Sequence, residues 1–304
     1  MGPGSRRGDA AMSATGMAST HGIAWGRRLV IALPYLWLLL FFAAPFLIVA
    51  AISLGENTPD TVPPVTLTGS GKTYVQLFAD ALYPAAYLNS LRIAAIATLA
   101  TLLIGYPMAY AIARAPAGWR GPLLMAVILP FWTSFLIRIY AWMGILSENG
   151  LLNQFLRGSG LVADPGTILG TEWAIYLGIA YAYLPFMVLP LYAVLEKLDV
   201  SLLEAAADLG ARPWRAFLTV TLPLSLPGIV GGCLLVFIPA VGEFVIPDLL
   251  GGTETLMIGK VLWDEFFSNS DWPMASAVAM AMLVVLVIPI VLFQRARARE
   301  MARG

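Results

Sequence analysis

Apolar residues along this chain fall into six long blocks separated by short polar stretches. The blocks run from Leu29 to Gly55, Ile93 to Ala113, Gly121 to about Leu146, Trp173 to Leu195, about Pro227 to Leu250, and Trp272 to Gln294. A helix needs roughly 20 apolar residues to cross a hydrocarbon core about 30 Å thick, so the pattern predicts six membrane-spanning helices. Arg138 lies inside the third block, and Glu243 interrupts the fifth ahead of Asp248. Pro34, Pro45, Pro107, Pro130, Pro185, Pro239 and Pro289 also fall within the blocks. Proline is tolerated in membrane helices where neighbours satisfy the freed backbone groups, so kinks are expected.

Lysine and arginine near the block ends set the orientation. With the N-terminus inside, the inner segments hold Arg6, Arg7, Arg27, Arg28, Arg114, Arg120, Lys197, Arg212, Arg215, Arg295, Arg297, Arg299 and Arg303. The outer segments hold only Lys72, Arg157 and Lys260, with Arg92 at the outer end of the second block. The expected layout is a cytoplasmic tail at 1–28, a six-helix domain at 29–295 and a short basic cytoplasmic tail at 296–304. The first tail is rich in Gly, Ser and Ala and is expected to be disordered. Its Arg6-Arg7 pair does not make an export signal, because no apolar stretch follows until Leu29 and that stretch is too long for a signal core. The first span is expected to serve as an uncleaved anchor.

Composition narrows the chemistry. Of the 304 residues 59% are hydrophobic and 12% charged, with zero net charge. Soluble domains are about half apolar and a quarter charged. Nothing in this balance points to nucleic acid. Cys233 and His21 are the single cysteine and histidine, too few for an internal disulfide, a zinc site or nucleophilic catalysis. His21 reads as a solvated tail residue. No metal site and no catalytic residue are predicted. "LTGSGKTY" (67–74) ends like a phosphate-binding loop, but position 66 is threonine, no buried strand precedes it, and it lies on the outer side, where no ATP is found. The reading there is a flexible turn with no clear helix after it.

The longest inner loop, 196–228, reads as two short helices. Ser201 with Glu204 forms a capping box. Gly210 ends the first helix with a positive φ, and Pro213 opens the second. Leu222-Pro223 is expected to close the element before the fifth span. Ala205, Ala206 and Ala207 leave room for a close backbone approach. Leu202, Leu203, Leu209, Trp214 and Phe217 are apolar on an element facing water, as at a protein interface. The stretch "EAAADLGARPWRAFLTVTLP" resembles the EAA signature of binding-protein-dependent ABC importer permeases: Glu204-Ala205-Ala206, then Gly210, then Val220-Thr221-Leu222-Pro223. Val220 in place of isoleucine is the one departure. "LPFWTSFLIRIYAWMGIL" (129–146), "YAYLPFMVLPLYAVLEKLD" (181–199) and "LLVFIPAVGEFVIPDLLGG" (234–252) resemble the polyamine branch. "ARPWRAF", "VGEFVIPDLLGG" and "VLWDEFF…DWPMASAVA" are most similar to PotH-type subunits of putrescine importers.

The resemblance implies an all-α membrane protein with the type I ABC importer permease fold and both termini cytoplasmic, in a bacterial inner membrane. It implies transport without covalent chemistry by this chain. Its implied partners are a second permease, an ATPase dimer carrying ATP and magnesium, a periplasmic polyamine-binding protein and membrane lipid. The loop at 199–223 would contact the ATPase through Glu204, Ala205, Ala206, Asp208, Gly210, Arg212 and Trp214. Glu204 has two readings, helix cap and contact with a basic group on the ATPase.

A site for a short diammonium chain wants carboxylates near its ends and aromatic faces along its length. Glu243, Asp248, Trp132, Tyr140, Tyr181 and Tyr183 are the candidates. Glu243 has a second reading, an intramembrane ion pair with Arg138, and the aromatics have one as interfacial anchors. Asp264, Glu265 and Asp271 are either receptor contacts or solvated loop charges. Permeases for spermidine, thiamine or ferric iron, and an ion-gradient transporter using Glu243, are the alternatives.

Overall fold

The computed structural model describes residues 30–159, 166–252 and 255–301, with side chains for all of these except 289 and 292–301. The expectations for the tail at 1–28, His21 and Arg6-Arg7 lie outside the described residues. The described residues are mostly helical. The helices are α1 (Val30–Ile52), α2 (Lys72–Ala79), α3 (Leu82–Arg114), α4 (Ala117–Ile128), α5 (Phe135–Leu146), α6 (Leu151–Gly158), α7 (Glu172–Leu195), α8 (Ser201–Asp208), α9 (Pro213–Val241), α10 (Val245–Leu250), α11 (Ile258–Trp263) and α12 (Trp272–Met301). One antiparallel pair, β1 (Glu56–Asn57) and β2 (Val65–Thr66), joins Glu56 to Thr66 and Asn57 to Val65.

The core is a three-helix packing of α3, α7 and α9. Lipid tails are as apolar as leucine, so burial from water does not hold membrane helices together, and close packing must do so. Small side chains permit it: Ala94, Ala97 and Ala109 of α3, Ala174 and Ala182 of α7, and Ala240 of α9 are buried. Ile93, Ile175, Ile179, Met187 and Leu191 fill the spaces between. Several hydroxyls are paired within this core, although those of the buried Thr98 and Thr221 meet no partner among the described residues. Thr101 donates to the Ala97 carbonyl at 2.6 Å, and Tyr106 and Ser225 join α3 to α9 at 2.9 Å.

Several predicted spans change in detail. Among the described residues four helices are long and apolar enough to cross a membrane: α1, α3, α7 and α9. A fifth exists if the bent pair 117–158 is one span, and α12 offers a shorter apolar stretch, Trp272–Ile288. The second span begins eleven residues earlier than its apolar block, at Leu82. The third is not one rod. After a 3₁₀ turn at Leu129–Trp132, the chain turns by 90° through extended Thr133 and Ser134. Pro130 sits in that turn, and its carbonyl accepts the Thr133 hydroxyl at 2.7 Å.

The fifth span also differs. Leu222-Pro223 does not close anything, because α9 runs unbroken from the loop into the membrane segment. A π turn at Phe217–Thr221 immediately precedes Pro223, as another at Leu39–Ala43 precedes Pro45. In a π turn the carbonyl bonds five residues ahead rather than four. The carbonyl four before the proline is thus freed from the missing N–H and from the ring that would strike it. The far end of α9 is Val241, nine residues short of the predicted end, and α10 starts afresh after Gly242-Glu243-Phe244.

Candidate coupling elbow and intramembrane carboxylate

The elbow consists of α8 and the start of α9. The cap of α8 is not the predicted box. Ser201 is already helical, the residue before it is Val200 with no side-chain bond, and the Ser201 N–H donates to Asp199 Oδ1 at 2.9 Å. Glu204 therefore does not cap, which removes one of its two readings. The end of α8 matches its prediction. Gly210 has φ 78°, its N–H donates to the Ala207 carbonyl at 2.8 Å, and the Ala211 N–H donates to the Ala206 carbonyl at 3.0 Å. Together these bonds form a Schellman ending. Arg212 then caps α9 in extended geometry, with Pro213 in the first turn.

This hairpin has little protein against it. Leu209 is 89% exposed and Trp214 55%, and Glu204, Ala205, Ala207, Asp208 and Arg212 are exposed as well. Arg215 lies over the Trp214 ring at 5.2 Å. Phe217 packs edge-on against Tyr106 and Tyr110 of α3 at 5.6 and 6.1 Å, and the Arg114 guanidinium lies over the Tyr110 ring at 5.5 Å. One face of the elbow is thus anchored to the core while the other is bare.

Glu243 sits at the break between α9 and α10 and is 8% exposed. Its Oε2 accepts the Tyr183 hydroxyl at 2.5 Å, and its Oε1 accepts the Val245 N–H at 3.1 Å, at the start of α10. The break is pressed against α11. A side chain on Gly259 would come within 2.4 Å of the Gly242 carbonyl oxygen and 2.6 Å of that of Glu243, so only glycine fits.

The predicted site residues separate into two groups. Glu243 and Tyr183 are together. From Tyr183 an aromatic row continues through Phe186 at 6.1 Å to Phe131 at 5.4 Å, with the Arg138 guanidinium over Phe131 at 4.8 Å. Arg138 and Glu243 thus stand at opposite ends of the row, and among the described residues no ion pair joins them. The ion-pair reading gives way to the Tyr183 bond. Asp248 is elsewhere, paired with Lys260 at 2.7 Å. Trp132 and Tyr140 are exposed, and Tyr181 lies edge-on to Trp142 at 5.4 Å. Phe131 and Phe186 were not among the predicted residues. The spacing of Tyr183 and Phe186, three apart on one helix face, was the available signal.

The outer segments are tied down locally. Lys72 begins helix α2, which does follow the "LTGSGKTY" turn, and its ammonium bonds Glu56 at 2.9 Å. The lysine of the apparent phosphate loop thus serves an ion pair between loop and helix, and it holds the Glu56 carboxyl below its ordinary range. Glu265 accepts Tyr83 and Asn269, and Asp271 caps α12 through the Met274 N–H. Both carboxylates thus have structural partners.

Comparison with known proteins gives one consistent answer. Residues 25–302 match the family model described as binding-protein-dependent transport system inner membrane component. The chain is 42% identical over 272 residues to the spermidine/putrescine transport system permease protein PotB of Haemophilus influenzae, covering 89% of this chain and 93% of that one. It is 42% identical over 260 residues to PotB of Escherichia coli K12, covering 86% and 94%. Among solved structures it is similar in fold to a chain of a bacterial ABC transporter involved in alginate import, with TM-score 0.66, 21% identity, and coverage of 92% and 96%. The polyamine-branch resemblance and the permease class agree with these relatives, which are transport subunits and not enzymes. The chain belongs to the family of inner membrane components of binding-protein-dependent transport systems.

Proposed function

We propose that this chain is one of two permease subunits of an ATP-driven importer for putrescine or spermidine. The reading has six spans with both termini cytoplasmic, the bent 117–158 pair forming the third. The observation that carries it is Glu243, a nearly buried carboxylate at a helix break beside an aromatic row, in a chain 42% identical to spermidine/putrescine permeases. An ionisable group inside a membrane segment is costly and belongs to a pathway by default. A carboxylate has about four acceptor positions. Tyr183, the Val245 N–H and, at 3.5 Å, the Ile246 N–H use three, which leaves one for a substrate ammonium. Tyr183, Phe186 and Phe131 offer π faces to the rest of a polyamine, each worth about 0.5–2 kcal/mol to a cation.

In this mechanism the chain performs no covalent step. ATP and magnesium belong to the ATPase partners, a periplasmic receptor delivers the polyamine, and the elbow at Glu204, Ala205, Ala206, Asp208, Gly210, Arg212 and Trp214 receives the ATPase movement. The test is uptake of labelled putrescine and spermidine by proteoliposomes containing the whole complex, with receptor outside and ATP inside. The expected result is ATP-dependent uptake that Glu243→Gln abolishes while receptor-stimulated ATP hydrolysis persists. Normal uptake by Glu243→Gln makes the carboxylate structural. Absence of polyamine uptake by the unmodified complex overturns the substrate.

A further inference from the structure

Glu243 can face a substrate only while the helix break that carries it keeps its shape, and the outer half of α3 reaches that break through α11. The first N–H of α11, on Ile258, is one of those a helix leaves without an internal partner. It donates to the Ser90 hydroxyl oxygen of α3 at 2.7 Å. Ser90 is fully buried. On the other side of the buried Met257, the Leu256 carbonyl accepts the Asn89 amide at 2.9 Å. Adjacent residues of one helix thus hold the backbone on both sides of Met257. Directly after Ile258 comes Gly259, which packs on the carbonyl oxygens of Gly242 and Glu243 with no room for a side chain.

The direction of the Asn89 amide is set by its other bond. Its Oδ1 accepts the Arg92 guanidinium at 2.8 Å, which turns Nδ2 to Leu256. Arg92 in turn pairs with Glu172 at the start of α7, the helix that carries Tyr183. Both partners of the Tyr183–Glu243 bond are therefore tied to the same turn of α3, one through α11 and the 242–243 turn, the other through α7. What the two bonds add to apolar packing is register. They fix where the start of α11 stands along α3, and close-packed neighbours pass a shift there to the 242–243 turn.

We propose that Ser90 and Asn89 are positioning residues for the Glu243 carboxylate, acting through α11 and Gly259. The proposal rests on the reading of Glu243 as a substrate group and adds two residues that act on it from a different helix. Loss of either bond leaves a buried backbone group unpaired. The start of α11 then shifts, and the 242–244 turn follows it.

The experiment is hydrogen exchange, read by mass spectrometry on the full complex in lipid nanodiscs, for the unmodified chain, S90A, N89D and T101V. Labelled polyamine uptake per ATP hydrolysed is measured beside it in proteoliposomes. N89D keeps the acceptor for Arg92 and loses the donor to Leu256. T101V is the control, because Thr101 is equally buried on α3 but its hydroxyl donates to the Ala97 carbonyl of its own helix. S90A and N89D are expected to speed exchange about tenfold at 256–263 and about threefold at 243–250, with protection across 174–191 unchanged. The Val245 and Ile246 N–H groups that meet Glu243 lie in the second of these segments. Uptake per ATP should fall about threefold in both variants and stay at the unmodified level in T101V. Faster exchange at 256–263 with none at 243–250 overturns the proposal, since the bonds then hold α11 alone. Faster exchange at 174–191 as well overturns it as general loosening. So do equal losses of uptake in S90A and T101V, and full uptake by S90A. Should S90A not assemble, N89D, which leaves the buried hydroxyl in place, decides by the same criteria. An unmodified complex that imports no polyamine removes the substrate reading, and exchange at 243–250 then decides the positioning of the carboxylate by itself.

Discussion

Gly210 offers a sharp test of the elbow, because its environment isolates a single cause. The residue holds φ 78°, and no atom lies within 4 Å of where a Cβ would stand. A side chain there meets open space, so any penalty comes from the backbone alone. The left-handed conformation costs an ordinary L-residue about 1–2 kcal/mol. Replacing glycine also restricts the unfolded chain, which returns about 0.4–1 kcal/mol to the Ala variant. The net penalty is about 0.5–1.5 kcal/mol for Gly210→Ala, and more for Gly210→Val, whose branched Cβ tolerates this region worst. Asparagine enters it readily, so Gly210→Asn should stay close to the unmodified chain.

The elbow has little with which to resist the strain, since α8 has only eight residues and none of them is buried. The two bonds from Gly210 and Ala211 to the last turn should open first, displacing Ala205–Ala207 from the surface offered to the ATPase. A factor of ten corresponds to about 1.4 kcal/mol, so the ATPase dissociation constant should rise several-fold for Ala and more than tenfold for Val. Titration of purified permease with ATPase, alongside uptake by the reconstituted complex, reads both effects. Unchanged assembly and uptake with Gly210→Val would refute the elbow reading. Asn and Val failing equally would show that partner contact, rather than φ, decides.

The remaining predictions concern named contacts. Asp199→Ala should lower amide-exchange protection at the start of α8 while Ser201→Ala leaves it unchanged, the reverse of what a Ser201 cap would give. The Ser201 N–H holds the Asp199 carboxyl below its ordinary value, so this cap is complete above the usual aspartate range, near pH 4, and is lost as pH falls through the lowered folded-state value. Protection of α8 at pH 6 that persists at pH 4.5 and declines below pH 4 is the expected course. Gly259→Ala forces the Gly242–Glu243 turn to move and should cost about 1–3 kcal/mol, in the manner of overpacking. An unchanged melting temperature of the complex would sink that account. Tyr183→Phe removes a hydrogen bond to a charged group worth about 1.5–3 kcal/mol and should reduce uptake, and uptake equal to the unmodified complex would take Tyr183 out of the path.

What was readable in the sequence depended on whether the hydropathy of a residue reports its conformation. The fourth span was legible almost to the residue, because Trp173 to Leu195 is apolar throughout and bounded by Glu172 and Glu196. The first eleven residues of α3 were missed, since "LYPAAYLNSLR" mixes polar and apolar side chains. Its helicity is supported by contacts such as the Asn89 amide donating to the Leu256 carbonyl at 2.9 Å. The turn at Thr133–Ser134 was visible only as Pro130, and a proline alone does not distinguish a kink from a break. The Schellman ending was legible because Gly210 has one local reason to be glycine. The cap differs from the expectation because Asp199 and Ser201 are both strong capping residues two positions apart, and the Ser201 N–H donates to Asp199 while Ser201 itself is already helical.

The continuity of α9 joins these separate pieces. Read as two elements, the elbow and the fifth span would meet at a flexible Leu222-Pro223 joint, and a push at Trp214 would be absorbed there. The π turn removes that joint. It accommodates Pro223 while the helix continues, so Trp214 and the Gly242–Glu243 break lie at opposite ends of one 29-residue helix, about 43 Å long at 1.5 Å per residue. Phe217 grips α3 one turn beyond the bare surface, and Gly259 clamps the far end against α11. A displacement at the elbow therefore has two ways to be accommodated. It can pivot the rod about Phe217, or it can change the fit of the 242–244 turn where Glu243 meets Tyr183. The Phe217 contact is a pair of ring edges on α3, which allows rotation. The turn at the far end is packed backbone against backbone, with no slack to absorb it. Movement received at the elbow should thus be felt most strongly at Glu243, the one acidic group buried in the core of the bundle among the described residues.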